Sequence, residues 1–295
     1  MKNLFTRSAA YLELLRPELI IMDLTLPAVI SFLAIYLLNI YSNFMILVKI
    51  LFVTIGAFCA IASSYVFNDF VDIDIDSVNL PERPLPSKRL KPIVALIYSI
   101  LLFATSIVIF SFYSIYSVIV VIISTGIITS YSAFFKRKTP LSFIPVGIAY
   151  GLVPIGVWLA FGKLHSAGLL LAVMICTTDW GFTLSGVSRD VTGDKKRGAP
   201  TVPVVYGIPF TSRFVLVCWI SGIILSIIIW RAASLGFVYL SIALISGSWL
   251  LWMALRFVKK PIPEVGGDFF IQAANYRSIL FIGLIIDIAL KIYRR

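Results

Sequence analysis

An all-α integral membrane protein with about nine transmembrane helices is the fold class this sequence predicts, on three observations. The 295-residue chain is 60% hydrophobic and only 13% charged, where a soluble domain is about 45–50% apolar and about 25% charged. Its apolar segments reach the roughly 20 residues that a helix needs to cross a bilayer. Its basic residues crowd into alternate connecting segments, which is the positive-inside pattern.

The first apolar segment, 19–39, follows Arg16-Pro17 and a polar, mildly amphipathic start, Tyr11-Leu12-Glu13-Leu14-Leu15. It lacks a small-residue cleavage site and is longer than a signal-peptide core, so it reads as a mature helix. Segments 44–67, 92–112, 114–135, 141–161, 166–188, 210–230, 235–257 and 272–292 come after it, each with few charges. A count of eight stays open if one segment is interfacial or re-entrant. No linker or low-complexity stretch interrupts the series, so residues 1–295 read as a single membrane domain. Cys59, Cys176 and Cys218 fall inside spans as small apolar fillers, not as a disulfide framework or a zinc site. The lone histidine, His165, sits in a short loop and leaves no material for a histidine-based centre. Gly126, Gly147, Gly151 and Gly156 are expected to permit close helix contact.

The net charge of +11 is topological and does not imply a nucleic-acid partner. With the N-terminus inside, the inner segments hold Lys2, Arg7, Arg16, Arg83, Lys88, Arg89, Lys91, Lys136, Arg137, Lys138, Arg189, Lys195, Lys196, Arg197, Arg213, Arg256, Lys259 and Lys260. The outer loops hold little beyond Lys163 and Arg231, with a short basic tail at Lys291, Arg294 and Arg295.

Acids are scarce, and six of the 14 stand in two short stretches on that inner side. The first is Asn68-Asp69-Phe70-Val71-Asp72-Ile73-Asp74-Ile75-Asp76 and the second Asp190-Val191-Thr192-Gly193-Asp194. Asn68, Asp72 and Asp76 recur every four residues and so share one helix face, with Asp69 and Asp74 pointing elsewhere. Asp190 and Asp194 repeat the spacing 118 positions on, counting from Asp72 to Asp190. Each cluster ends an apolar helix and precedes basic residues mixed with proline, so two halves delivering one acidic edge each would set the clusters face to face. A polar cap or solvated turn is the plainer reading. Yet like charges at i, i+4 cost a helix about 0.2–0.5 kcal/mol unless neutralised, and Asp and Asn oxygens without Cys or His suit Mg²⁺. Mg²⁺ is usually held by one or two carboxylates, with phosphate oxygens completing its shell. Arg83, and Lys195 or Arg197 after the second cluster, are candidates for the remaining phosphate oxygens, although the positive-inside rule alone also accounts for each.

These residues carry a resemblance. Asn68-Asp69-x-x-Asp72-x-x-x-Asp76 followed by Arg83-Pro84-Leu85 resembles the first signature of the UbiA-type membrane prenyltransferases. Asp190-Val191-Thr192-Gly193-Asp194, with Thr201-Val202-Pro203 and Gly207 beyond it, resembles the second. Tyr131-Ser132-Ala133-Phe134-Phe135-Lys136-Arg137 is similar to the family's Tyr-Ser/Thr…Lys-Arg stretch, and Arg16-Pro17 also fits. The resemblance implies nine helices around a central cavity with a laterally accessible groove for an isoprenoid tail. It implies Asn68, Asp72, Asp76, Asp190 and Asp194 as metal–diphosphate ligands, the four aspartates being catalytic, and Arg83, Lys136 and Arg137 as diphosphate contacts. Thr192 departs from the family's usual acid before the glycine and removes a further ligand there.

The activity this resemblance implies is Mg²⁺-dependent transfer of a polyprenyl group from an allylic isoprenyl diphosphate to a lipophilic acceptor, at the cytoplasmic face of the cell membrane. Asn79-x-Pro81-Glu82-Arg83-Pro84-Leu85-Pro86-Ser87-Lys88-Arg89 looks like members that alkylate a prenylated glycerol phosphate; an aromatic quinone precursor such as 4-hydroxybenzoate remains the alternative. Haem farnesylation expects an Arg-Thr pair where this chain has Ser77-Val78-Asn79. A CDP-alcohol phosphotransferase lacks support because its Asp-Gly and Ala-Arg pairs are not seen. A secondary transporter would place its acids near mid-bilayer with Gly/Pro-broken helices. Asp23, Asp179, Asp287, Gln272, Asn275 and Arg277 do lie in or near apolar spans, where ionisable groups face the protein interior. Arg277 is expected to pair with one of these acids.

Overall fold

The computed structural model describes residues 2–40 and 43–293, with side chains from Ser8 onward. The side chains of Lys2 and Arg7, expected on the inner side, lie outside the described residues, as do Arg294 and Arg295 of the tail.

Every regular element among the described residues is a helix. An amphipathic α1 (Lys2–Leu14) leads into α2 (Ile20–Leu37) and the long α3 (Phe44–Val71), from which a short α4 (Ile73–Asn79) turns away. Next come α5 (Pro92–Ser111), α6 (Ile115–Ala133), α7 (Phe143–Leu159) and α8 (Ser166–Arg189). Two short helices, α9 (Val191–Lys196) and α10 (Val202–Val205), precede α11 (Gly207–Ala232), α12 (Phe237–Lys259) and α13 (Pro263–Tyr293). Among the described residues nine helices are long and apolar enough to cross a membrane, which bears out the predicted class.

Local chemistry sets many of the ends. Asn43 and Ser114 cap α3 and α6 by accepting from the N–H groups of Ile46 (3.0 Å) and Ser117 (3.3 Å). Pro92 opens α5, where its missing N–H costs nothing. His165 is the cap of α8, its Nδ1 accepting from Ala167 N. Asp287 caps α12 from another helix: its carboxylate accepts from the N–H groups of Gly236 (2.6 Å) and Tyr239 (3.3 Å). The last span starts at Pro263, nine residues before the segment 272–292 that hydropathy marks. Glu264 and Asp268 interrupt the apolar run, but Val265, Phe269 and Phe270 in the same stretch are buried, so packing extends the helix where lipid does not require it.

The membrane reverses the usual polarity of a helix face. On α5 Ile93, Ile97, Ile100 and Leu101 are exposed while Ala95, Ser99 and Ser106 are buried. Lipid is as apolar as a leucine core, so helices associate through small residues that permit close packing. Gly147 and Gly151 on α7 lie directly against Cys176 of α8, and a Cβ at Gly147 would overlap Trp180. Gly126 departs from that expectation, having open space where its side chain would be. The three cysteines are free thiols.

Candidate active site

Two helix ends build the site. α3 and α8 each stop at an aspartate, Asp72 or Asp190, whose backbone N–H still bonds the carbonyl four residues back (Asn68 O, 2.9 Å; Gly186 O, 3.2 Å). In each case a short helix then turns away carrying the second acid, Asp76 on α4 or Asp194 on α9. The equal spacing in the sequence is therefore a repeated arrangement of long helix, aspartate and short helix, and α4 packs against α9.

A cavity of about 820 Å³ opens where these ends meet. Asn68, Asp72, Asp76 and Asp190 line it, with Arg16, Arg83, Lys136 and Arg189 interleaved. Each of these carboxylates holds a cation. Lys136 Nζ donates to Asp72 Oδ2 (2.6 Å), Arg83 to Asp76 Oδ2 (2.8 Å), and Arg189 to both oxygens of Asp190 (2.8 and 3.0 Å). The Asn68 amide donates to Asp72 Oδ2 (3.0 Å) and to Ser132 Oγ (3.1 Å), which turns its oxygen towards Arg16 (3.3 Å).

Other expected residues stand off the cavity. Asp194 is buried outside its lining; Thr201 Oγ1 donates to Oδ2 (3.1 Å), while Oδ1 is buried without a hydrogen-bond partner. Asp69 does not point outward as the helical spacing suggests: it is buried and accepts from Arg16 (2.9 Å) and Arg83 (3.1 Å). Arg137 pairs with Asp74 (2.6 and 2.9 Å) and is not among the lining residues. Lys195 and Arg197 are exposed and also off the cavity. The α9 turn that buries Gly193 and Asp194 carries the basic residues after it outward.

The acids outside the spans differ in their proton affinity. Burial raises Asp76 to about 6 against the pull of Arg83, and raises Asp194 to about 6 against the pull of Lys136. Asp74, hydrogen-bonded to Arg137 and only partly buried, is lowered instead.

Several contributors had little signal in the sequence. Arg16 reaches Asn68 and Asp69 across more than fifty residues, and its guanidinium lies 4.9 Å over the Tyr65 ring. Asn79 joins the two motifs: its Nδ2 donates to Asp190 O (3.0 Å) and its Oδ1 accepts from Gly193 N (2.9 Å). A Cβ on Gly193 would overlap that amide, so glycine is needed there for close approach. Deeper in the cavity Tyr65, Tyr131, Tyr150 and Phe182 form an aromatic wall. Arg277 pairs with Asp179 (3.0 Å) and Thr178 (2.9 Å), while Asp287 is engaged in capping α12.

A family model described as the UbiA prenyltransferase family matches residues 27–280. The chain belongs to the UbiA prenyltransferase family. It is a multi-pass membrane enzyme of the prenyl-transferring class. Among its relatives, a digeranylgeranylglyceryl phosphate synthase of Methanosphaera stadtmanae is 30% identical over 261 residues, covering 86% of this chain and 90% of the relative. A protoheme IX farnesyltransferase of Vesicomyosocius okutanii is 28% identical over 246 residues, 81% and 82% of the two chains. A solved structure described as a digeranylgeranylglyceryl phosphate synthase in membranes superposes with a TM-score of 0.69 at 26% identity, covering 98% of this prenyltransferase and 99% of that chain. A UbiA homologue from Archaeoglobus fulgidus, described as bound to GPP and Mg²⁺, shares the fold with a TM-score of 0.59 at 16% identity, over 93% and 99% of the chains.

Proposed function

We propose that this enzyme, as one domain, transfers a polyprenyl group from an allylic isoprenyl diphosphate to the free hydroxyl of a prenylated glycerol phosphate, releasing diphosphate. The observation that carries this reading is the convergence of Asn68, Asp72, Asp76 and Asp190 on one cavity at one end of the bundle, with four basic side chains among them. The relatives favour a lipid acceptor over an aromatic one: the synthase of Methanosphaera stadtmanae is named for a glyceryl phosphate product. The basic residues flanking both motifs support a cytoplasmic location for this end.

A divalent cation, Mg²⁺ by the hardness of the donors, fits the residues present. The donor set is oxygen alone, and the buried Oδ1 of Asp72, a residue of the cavity wall, has no hydrogen-bond partner. Among the described residues no three acids are grouped closely enough to hold an ion by themselves, so phosphate oxygens of the substrate would have to complete its shell. Asn68, Asp72, Asp76, Asp190 and Asp194 would hold it, where it would stabilise charge on the departing diphosphate.

The chain's own groups do the rest. Lys136, Arg83 and Arg16, which neutralise the acids here, are within the cavity to take phosphate oxygens, freeing the carboxylates for metal. As the allylic C–O bond breaks, its electron pair leaves with the diphosphate and C1 becomes electron-deficient. Tyr65, Tyr131 and Tyr150 line the cavity beside it, where aromatic side chains favour positive charge and exclude water. The acceptor oxygen bonds to C1, and its proton passes to an oxygen of the departing diphosphate, the base that the step itself releases. The test is to incubate purified protein and Mg²⁺ with labelled geranylgeranyl diphosphate and a panel of glycerol-phosphate, hydroxybenzoate and porphyrin acceptors. Labelled ether lipid is expected; a labelled aromatic product would replace the acceptor, and solute flux without any product would overturn the enzyme reading.

A further inference from the structure

Among the described residues four cations line the main cavity, and one of them stands apart. Lys136, Arg83 and Arg16 all bond the first motif: Lys136 to Asp72, Arg83 to Asp69 and Asp76, Arg16 to Asn68 and Asp69. Arg189 bonds the second. It is the last residue of α8, and its Nε and Nη2 donate to the two oxygens of the neighbouring Asp190 at 2.8 and 3.0 Å. Arg16 and the exposed Glu18 are the other charged groups near it. Its side chain is 30% exposed, against 10 to 18% for the other three, so it is the cavity cation most open to a ligand.

Packing on α13 holds the stem of this arginine. The guanidinium lies 5.3 Å over the Phe270 ring, which stacks on Phe182 at 4.2 Å, and a Cβ on Gly267 would stand 3.2 Å from Arg189 Cγ and Cδ. Asp190 cannot serve as a metal–diphosphate ligand while one guanidinium holds both of its oxygens. When Asp190 turns to that role, Arg189 is left as a cation against an aromatic wall without its anion, which is costly unless another anion replaces it. Lys136, Arg83 and Arg16 meet the diphosphate from the first motif. A phosphorylated acceptor brings a further charge of about −1.5 to −2, and a guanidinium fork matches phosphate oxygens bidentately. Leu19, Phe182, Val187 and Phe270 line the cavity with Arg189, so the anion suited to this place carries an apolar body.

We infer that Arg189 binds the phosphate of the acceptor and selects phosphorylated acceptors over neutral ones, exchanging Asp190 for that phosphate as the site fills. This role rests on the reading of the acceptor as a prenylated glycerol phosphate, and assigns the residue that recognises its head.

The experiment compares wild type with Arg189→Gln and Arg189→Lys in detergent with Mg²⁺, using geranylgeranyl diphosphate and either prenylated glycerol phosphate or the same acceptor without its phosphate. In Arg189→Gln, kcat/KM for the phosphorylated acceptor should fall about tenfold or more, the loss of a charge-assisted contact, while KM for the donor stays within about threefold. Its advantage over the unphosphorylated acceptor should shrink by the same factor. Arg189→Lys keeps the charge and loses the fork, so it should fall in between, and it carries the test if melting curves show the glutamine variant unfolded. Half-saturating Mg²⁺ should drop in Arg189→Gln, because Asp190 loses a competitor. An equal loss with both acceptors, or a higher Mg²⁺ requirement, would mark a structural role and overturn the inference; a donor KM that rises as much as the acceptor's would assign Arg189 to the diphosphate instead. Acceptor binding is also measured apart from turnover, by titrating prenylated glycerol phosphate into protein holding Mg²⁺ and a thiolodiphosphate analogue of the donor. A wild type that forms no ether yet binds this phosphate about tenfold more tightly than Arg189→Gln would end the reaction reading and keep the site. Binding indifferent to the substitution would overturn the site itself.

Discussion

Asn79 offers the sharpest test of how the two acidic motifs are held at a working distance. Its amide makes two hydrogen bonds to the turn between Asp190 and Gly193, at 3.0 and 2.9 Å. Each such bond is worth about 0.5–1.5 kcal/mol net, so Asn79→Ala should remove about 1–3 kcal/mol from the interaction between the rims. At about 1.4 kcal/mol per decade, that is roughly a 5- to 150-fold weakening of the half-saturating metal concentration or of kcat/KM for the donor. Gly193→Ala attacks the same contact from the other side, because its new Cβ would overlap the Asn79 amide. The two substitutions should therefore be strongly non-additive, and Asn79→Ala/Gly193→Ala should be no worse than Asn79→Ala alone. Coupling of about 0.5–3 kcal/mol is the range for residues in contact. The assay is metal-dependent diphosphate release in detergent, with a melting curve for each variant. Additive losses, or an Asn79→Ala enzyme with wild-type metal dependence, would refute the idea that this amide sets the spacing.

Asp72→Asn and Asp194→Asn should abolish turnover with the fold retained, and near-normal activity in either would remove that residue from the proposed ligand set. Asp72→Ala is a harsher probe, since it leaves the buried Lys136 ammonium without its 2.6 Å partner, a defect worth about 3–5 kcal/mol in a buried pair. Exhaustive chelation should stop diphosphate release and added Mg²⁺ restore it; activity indifferent to chelation would contradict the metal assignment. Asp76 and Asp194, each raised by burial to about 6, favour the fold when protonated, and that contribution is lost as pH rises from about 4 through about 6. Metal-free protein should then melt higher at pH 5 than at pH 7, with Mg²⁺ stabilising at pH 7 and much less at pH 5, where protons compete for the same oxygens. The opposite order in melting curves would show that these carboxylates titrate normally. Arg277→Met should destabilise more than Arg277→Met combined with Asp179→Leu, because the single change strands a buried carboxylate; equal melting temperatures would argue against a tight pair.

The span series and the two acidic motifs were legible because both are written in near neighbours: apolar runs of bilayer length, and acids four residues apart. The start of the last helix was not, because Val265, Phe269 and Phe270 are buried by packing in a stretch whose average polarity resembles a loop. Lys195 and Arg197 looked suited to phosphate from their place after the second motif, yet the α9 turn carries them outward. Asp69 looked displaced from the functional face, yet Arg16, 53 positions before it, and Arg83, 14 positions after it, converge on it.

By itself the sequence determined that the chain crosses a membrane many times and ends two of its helices in acidic motifs, since hydropathy and i, i+4 periodicity are local properties of a helix. Only the tertiary structure decided which cations neutralise which acids, and that Asn79 and Gly193 bring the motifs together. The reason is physical. Many of those contacts join residues far apart in sequence, from 52 positions for Arg16 and Asn68 to 114 for Asn79 and Gly193, and packing of the spans against one another sets which of them meet.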